Sequence, residues 1–515
     1  MKKLFATGAV ALVLSLAACG GGSGGSGSVD TETLDIAWNA QPPTLDPLMT
    51  TATSTRDIAR NVWEPLVAPD ENGEMQPVLA ESYTVSEDGK TVSFVLREGV
   101  TFHNGDPMTA DDVVASVQRW IEKTGSGSQY FADATVEKVD ETTVNIVLPE
   151  AMYTALDLIG DPSQIMAVMP KSVIDAAPTE GVSEYVGTGP YSVVEWATDQ
   201  HVHLEKFAEY TSPEGDPSFT AGAKTPVFEN IMFHFVTDPS TRLSGMQSGE
   251  YDIANEMNFD MKAQLDGDPN LVTEADVVGF NGVIFNKKEG VMSDVNMRQA
   301  VLSSLDMTSI LQASFADPEF FTENGALMAE GQPYYTDAGL ENWNNPDPER
   351  VKQLLAEAGY NNEPVRILTT REYADHYNAA VVVEQNLKAN GINASLEVYD
   401  WPTVLSTRTD STAYEIFITG FSTVTVPTNY VFFGPEWPGW TNDPAITQAL
   451  DDITYAADEA AATAAGEELQ TAFYEYLPIA KFGDNDTLTT YSGDLTGYSF
   501  DPTAGIVVYN TAPAE

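Results

Sequence analysis

The side chains able to do covalent or metal chemistry are few and scattered. The chain has one cysteine, Cys19, and five histidines, at 103, 201, 203, 234 and 376. Outside the Gly/Ser run at 20–28, no Gly-x-Ser-x-Gly elbow occurs, and the chain has no His-Glu-x-x-His pair or phosphate-cradling Gly-x-x-x-x-Gly-Lys-Ser/Thr loop. His201 and His203 alternate on a predicted strand and would share a face, but no further imidazole or thioether cluster joins them, so neither a metal nor a cofactor is expected. Carboxylates are the exception. Asp plus Glu number 77, which offers many pairs for glycoside hydrolysis, so an extracellular hydrolase stands as the alternative from another class. The main expectation is binding without catalysis.

The charge balance narrows the partners. Lys plus Arg is 24 against 77 acids, a net of 24 − 77 = −53. Such a surface repels nucleic-acid backbones and anionic lipid, and keeps a protein soluble where salt screens self-repulsion. A length of 515 residues exceeds one hydrophobic core, and 43% hydrophobic with 10% aromatic residues predicts a folded body of two or three domains. A single cysteine rules out an intrachain disulfide.

The N-terminus reads as an export signal. Lys2 and Lys3 precede an apolar stretch from Leu4 to Ala18, of roughly 15 residues and too short to span a bilayer comfortably. Leu16-Ala17-Ala18-Cys19-Gly20 then resembles the lipobox of bacterial lipoproteins, which implies cleavage before Cys19 and its lipidation. Gly20 to Ser28 contains only Gly and Ser, the composition of a flexible tether.

Behind the tether, Leu34 to Trp38 alternates as a strand before Pro42 and Pro43. Val92, Phe94 and Leu96, and later Val144, Ile146 and Leu148, repeat the alternation. Between them a helix starts at the cap Thr109, with Asp112 three residues on and Val113, Val117, Trp120 and Ile121 on one face. The second half has a different rhythm. Asp347-Pro348 opens a helix closed by Gly359; a strand is expected at 365–369, a helix at 377–390, and strands at 392–399 and 414–419. Strand, helix, strand at this spacing predicts a parallel sheet.

An ordered series of short stretches is similar to the solute-binding proteins of the peptide/nickel ABC importer family, which includes oligopeptide and dipeptide receptors. It comprises Pro43-Thr44-Leu45-Asp46-Pro47, Trp63-Glu64-Pro65-Leu66, Pro77-Val78-Leu79-Ala80-Glu81, and Phe94-Val95-Leu96-Arg97-Glu98-Gly99-Val100-Thr101-Phe102-His103-Asn104-Gly105. Gly187-Thr188-Gly189-Pro190-Tyr191, Ser248-Gly249-Glu250-Tyr251-Asp252, Met297-Arg298-Gln299-Ala300 and Leu354-Leu355-Ala356-Glu357-Ala358-Gly359 continue it. The resemblance implies a bilobal α/β receptor of the periplasmic-binding-protein type. Its expected parts are a signal peptide (1–18), an anchor and tether (19–30), a first lobe (31–74, 187–285 and 481–515) with an inserted β-plus-helix subdomain (75–186), and a second lobe (286–480). It further implies a monomeric, non-enzymatic receptor, held at the outer face of the cytoplasmic membrane or in the periplasm by its lipid anchor alone. That receptor hands a peptide or other small organic solute to ABC permease subunits. Most of these motifs are expected to serve the fold, with Gly187, Gly189 and Pro190 in a turn and Arg298 and Asp306 in ion pairs or caps.

The binding site follows from a general rule. Open α/β sheets bind ligands beyond the carboxyl ends of their strands, where loops and helix N-termini converge. Together with the family analogy this selects Gln41 and Thr44 on one wall and Tyr373, Trp401, Phe421, Ser422 and Thr423 on the other, with Trp437 and Trp440 read as core. Peptide receptors of this family usually carry Gly-Trp and, three residues later, an Asp that pairs with the peptide ammonium. Here Gly420-Phe421 stands at the first two positions and Val424 at the third. Glu372 and Asp400 are the candidate replacements, and an oligosaccharide- or opine-type solute is the alternative ligand.

Overall fold

The computed structural model describes residues 32–514. Cys19, the apolar stretch and the tether lie outside the described residues. Two large hydrophobic cores organise the chain. One gathers Leu34, Ile36, Trp63, Phe94, Trp120, Ile146, Phe233 and, from far along the sequence, Ile506–Tyr509. The other gathers Ile284, Met297, Ile310, Ile367, Val383, Phe417, Ile453 and Phe473.

A single sheet of 11 strands runs through both. Thr33–Trp38 lies parallel to Asn230–Phe235 and Ile253–Ala254 in the first lobe, as its alternating pattern allows. In the second lobe Val365–Thr370 is parallel to Ala394–Tyr399 and Ile416–Ser422, in keeping with the strand–helix–strand reading. Two long strands, Leu271–Phe285 and Ile479–Ser492, pair antiparallel and join the halves. Leu271 and Leu488 pack with Ala37 and Leu243 at one end of this ladder, whereas Val283 and Ile479 enter the other core. Register shifts interrupt it between Val277 and Gly279 and between Asn281 and Gly282. Interrupted pairing bends strands, so these midpoints are where the connection can flex.

The expected helix forms at Ala110–Lys123, closed at its start by a reciprocal capping box between Thr109 and Asp112. It covers the antiparallel sheet of Ala80–Val85, Thr91–Leu96, Thr143–Val147 and Thr135–Lys138. Three spans differ from expectation by two residues or more, one of them the strand expected at 392–399, which starts at Ala394. The helix predicted at 377–390 is Ala374–Ala389, because Tyr373 already takes the extended cap conformation and Asp375 sits favourably in the first turn. The strand predicted at 414–419 is Ile416–Ser422, prolonged by its antiparallel ladder with Leu271–Phe285.

The recurring motifs resolve into buried polar networks. The fully buried Glu64 carboxylate accepts from Lys224 Nζ at 2.8 Å, Tyr210 OH at 2.8 Å and Thr188 Oγ1 at 3.1 Å. Gly187 and Gly189 permit this approach. A Cβ on either would stand 2.0 or 2.6 Å from the carbonyl oxygens of Val62 or Asn61. Asp306 caps the helix Met307–Phe315, and Arg298, without an ion pair among the described residues, caps the end of the helix Glu459–Tyr476 through the carbonyls of Tyr476 and Leu477 and also donates to those of Met292 and Ser293.

Asp46 is the sharpest case. Its carboxylate pairs with the Arg119 guanidinium, including an Nη1–Oδ1 contact of 3.2 Å, and accepts from Val182 N at 2.8 Å and Leu48 N at 3.1 Å, all buried. Removing one partner of such a pair strands the other charge away from water. Asp46→Asn is expected to lower stability by about 3–5 kcal/mol in equilibrium urea unfolding. A loss below about 1 kcal/mol would refute this role.

Candidate functional site

The two lobes close over a cavity of about 280 Å³ whose walls come from both. From the first lobe it takes Thr53, Arg56, Ser163 and the segment Glu256–Asp260; from the second, Ala313–Ala316, Tyr373–His376, Trp401, Arg408, Gly420–Ser422, Val424 and Trp437. Direct hydrogen bonds cross the gap. Arg56 Nη2 donates to Ser422 Oγ at 3.2 Å, Asn39 Nδ2 to the Glu372 carbonyl at 3.1 Å, Asn429 Nδ2 to the Asp157 carbonyl at 3.3 Å, and Tyr153 N to the Thr454 carbonyl at 2.8 Å. The lobes are therefore in contact around the cavity.

Among the residues expected here, Tyr373, Trp401, Phe421 and Ser422 line the cavity. Tyr373 stacks on His376 with ring centroids 4.9 Å apart and meets Trp401 edge-on at 5.1 Å. Phe421 packs against Phe280 at 5.3 Å and Trp437 at 5.7 Å. Trp437, read as core, also faces the cavity, while Trp440 stacks on Tyr414 away from it. Gln41, Thr44 and Thr423 do not line it. The Gln41 amide is held from both ends by Asp199; Thr44 Oγ1 accepts from Asp46 N, closing the turn; Thr423 N donates to the Val278 carbonyl.

The acids differ from expectation in the same way. Glu372 accepts from Trp401 N at 2.8 Å, and Asp400 caps the helix Trp401–Thr407 through Thr403 N at 2.9 Å, so both are held at a helix start rather than at the cavity wall. The carboxylates that do line it are Glu256, Asp260, Asp375 and Asp486. Asp375 accepts from Asn281 Nδ2 at 2.5 Å. Asn281 lies opposite Gly420 in the sheet, and a Cβ there would stand 2.5 Å from its Oδ1, so Gly420 keeps room for this bond. Glu256 adopts φ +49°, a strained conformation for a residue with a Cβ, fixed where its carbonyl accepts from Arg242 Nη2 at 2.8 Å.

Electrostatics follow from burial. Burial, then the neighbouring Asp375, pushes the Glu256 carboxyl up to about 8. Burial raises Asp57, behind the wall, to about 6 against the opposing pull of Arg60 and Arg56. His376 is lowered by burial, against Asp375, so its ring is neutral at pH 7. Several buried lining atoms have no partner among the described residues: Arg56 Nε and Nη1, His376 Nδ1, Trp401 Nε1, Arg408 Nε, Asn429 Oδ1 and Asn485 Oδ1. Leaving a buried polar group unpaired costs about 1–3 kcal/mol; these atoms belong to residues that line the cavity but are themselves covered by protein, as are unpaired atoms elsewhere such as Arg242 Nε and Asp501 Oδ2.

A model of the bacterial extracellular solute-binding proteins, family 5, matches residues 74–475. The chain belongs to this family. It is 29% identical over 479 residues, covering 88% of each chain, to the probable peptide ABC transporter periplasmic-binding protein y4tO of Sinorhizobium fredii. It is 24% identical to the glutathione-binding protein GsiB of Escherichia coli K12, across 91% of this chain and 92% of that one. Among solved structures, AgaA of A. tumefaciens R10 in complex with agropinic acid superposes with a TM-score of 0.82 at 25% identity, covering 94% of this chain and 99% of that chain. A dipeptide-binding protein of Pseudoalteromonas sp. SM9913 in complex with Met-Leu gives the same TM-score at 20% identity, covering 94% of this chain and all of that one, and bears on the fold alone. Both the bilobal α/β architecture and the family reading from the motif series thus hold.

The raised carboxyls of this family 5 member carry a pH signature. Glu256 and Asp57 hold their protons more tightly folded than unfolded, where Glu and Asp titrate near about 4.3 and 3.9. Their stabilising contribution is complete below those values and is lost as pH rises through about 6 for Asp57 and about 8 for Glu256. Ligand-free protein should lose stability between pH 5 and 8, and Glu256→Gln should remove on the order of 2 kcal/mol of that loss. Identical melting-temperature profiles for the two proteins would contradict it.

Proposed function

We propose that this chain is the receptor of an ABC import system, capturing a peptide or other small organic solute outside the cytoplasmic membrane and delivering it to the permease. The supporting observation is the cavity between two lobes in contact, walled by aromatics from one side and by polar and charged residues from both. Solute would bind while the lobes are apart, closure about the two long strands would exclude water, and the closed form would dock on the permease. The role is non-catalytic, and the receptor acts as a monomer anchored through Cys19. Relatives named as peptide and glutathione receptors support the assignment.

Val424 favours an opine-type solute, or another without a free primary ammonium, as the second reading. It is buried to 6% exposure in the cavity wall, at the position where the peptide receptors usually place an acid. A ligand ammonium beside it would lack a charge partner, at considerable cost. The relative AgaA, whose structure holds agropinic acid, is consistent with this reading.

Thermal melting against peptides, glutathione, opines and oligosaccharides tests the assignment. A true ligand at a hundredfold excess over its Kd adds about 2.7 kcal/mol, and it should be recovered unchanged after prolonged incubation. Turnover would favour the hydrolase reading instead. For free-amine peptides, Val424→Asp is expected to raise affinity by about tenfold, the effect of one charge-assisted bond. No gain in calorimetry would rule out an ammonium site at this position.

A further inference from the structure

Arg408 stands apart from the other buried arginines. Arg60 and Arg119 pair with Asp57 and Asp46. Arg242 donates to the carbonyls of Val236, Thr237 and Glu256, and Arg298 to four carbonyls of its own lobe. Arg56 reaches the hydroxyls of Thr53 and Ser422. Arg408 is 8% exposed, yet among the described residues its guanidinium makes no hydrogen bond and no ion pair, and its Nε is buried with no partner. Burial lowers its pKa to about 10, and only the Tyr414 phenol acts against that shift.

Its setting explains how the charge is tolerated. Arg408 caps the end of the helix Trp401–Thr407, on the face of Trp401, Val404 and Leu405, which are all buried. The guanidinium lies over the rings of Trp437 at 5.2 Å and Phe417 at 5.8 Å. Aromatic faces stabilise a desolvated guanidinium without using its N–H groups, which stay free to donate. Both Arg408 and Trp437 line the cavity. A fork of donors held by aromatic rings and lacking a protein acceptor matches the geometry of a carboxylate, which it can bind through two parallel bonds.

We propose that Arg408 is the anion subsite of the cavity, and that the transported solute presents a carboxylate to it with its remaining bulk against Phe421 and Trp437. This rests on the receptor assignment above. A monoanion fits better than a phosphate ester. The lining already holds Asp260, Asp375 and Asp486, beside a Glu256 that is protonated near neutral pH, against the two arginines 56 and 408, and a phosphate ester would bring nearly two further negative charges.

Calorimetry with matched acids and amides tests it: Met-Leu and its C-terminal amide, and agropinic acid and its primary amide. The wild type should bind at least one acid about a hundredfold more tightly than its amide. In Arg408→Met that gap should shrink to threefold or less, while the ligand-free melting temperature stays level or rises, because an unpaired buried charge has been removed. Arg408→Lys, which keeps the charge but loses the planar fork, should fold and retain only part of the preference. Equal binding of acid and amide, or a preference that survives in Arg408→Met, overturns the subsite and leaves the receptor assignment standing. A fall in melting temperature in both variants with the preference intact assigns Arg408 a structural role and overturns it too. Absence of binding by all four compounds and by the wider solute panel overturns the receptor assignment, and the subsite with it.

Discussion

The antiparallel ladder between Leu271–Phe285 and Ile479–Ser492 is the constraint from which the rest of the molecule follows. It is a continuous hydrogen-bonded connection between two separately cored halves, and its register slips near Gly279 and Gly282 fall beside the cavity. Asn281, between those slips, reaches Asp375 in the cavity wall. The element that joins the lobes therefore also touches the ligand space, so a guest that engages Asp375 acts directly on the connection.

Some buried charges that serve only the fold are met closely. Glu64, Asp46 and Arg298 are surrounded by donors or acceptors on every side. Around the cavity, Arg56, His376, Trp401, Arg408 and Asn485 keep buried polar atoms without partners, as Arg242 and Asp501 do elsewhere. The strained backbone at Glu256 belongs to the same pattern. Unsatisfied and strained groups persist only where surrounding packing holds them.

Much of this was readable from residue order. The capping box at Thr109 and Asp112, the alternation of Leu34 to Trp38 and the proline-started helix at Asp347 are local signals, and local chemistry decides them. The rule of strand carboxyl ends reached Tyr373, Trp401, Phe421 and Ser422, because parallel strands direct their following loops to one edge. It failed for Gln41 and Thr44, whose side chains turn to Asp199 and Asp46. It also failed for Glu256 and Asp375, since only tertiary contact sets which acids caps consume and which remain free. One missed residue did leave a trace. Trp401, Val404, Leu405 and Arg408 recur at helical spacing, so a cation sits on an otherwise apolar face, and that inconsistency pointed to a special environment.

The first core is closed by residues 504–509: Ile506 to Tyr509 pack beside Trp63 and Val62, and Arg60 is fastened to the carbonyls of Ala504 and Ile506. These residues leave the ribosome only after the whole second lobe. Folding during synthesis must therefore complete the later half before the earlier one, and the earlier half stays pliable for most of translation.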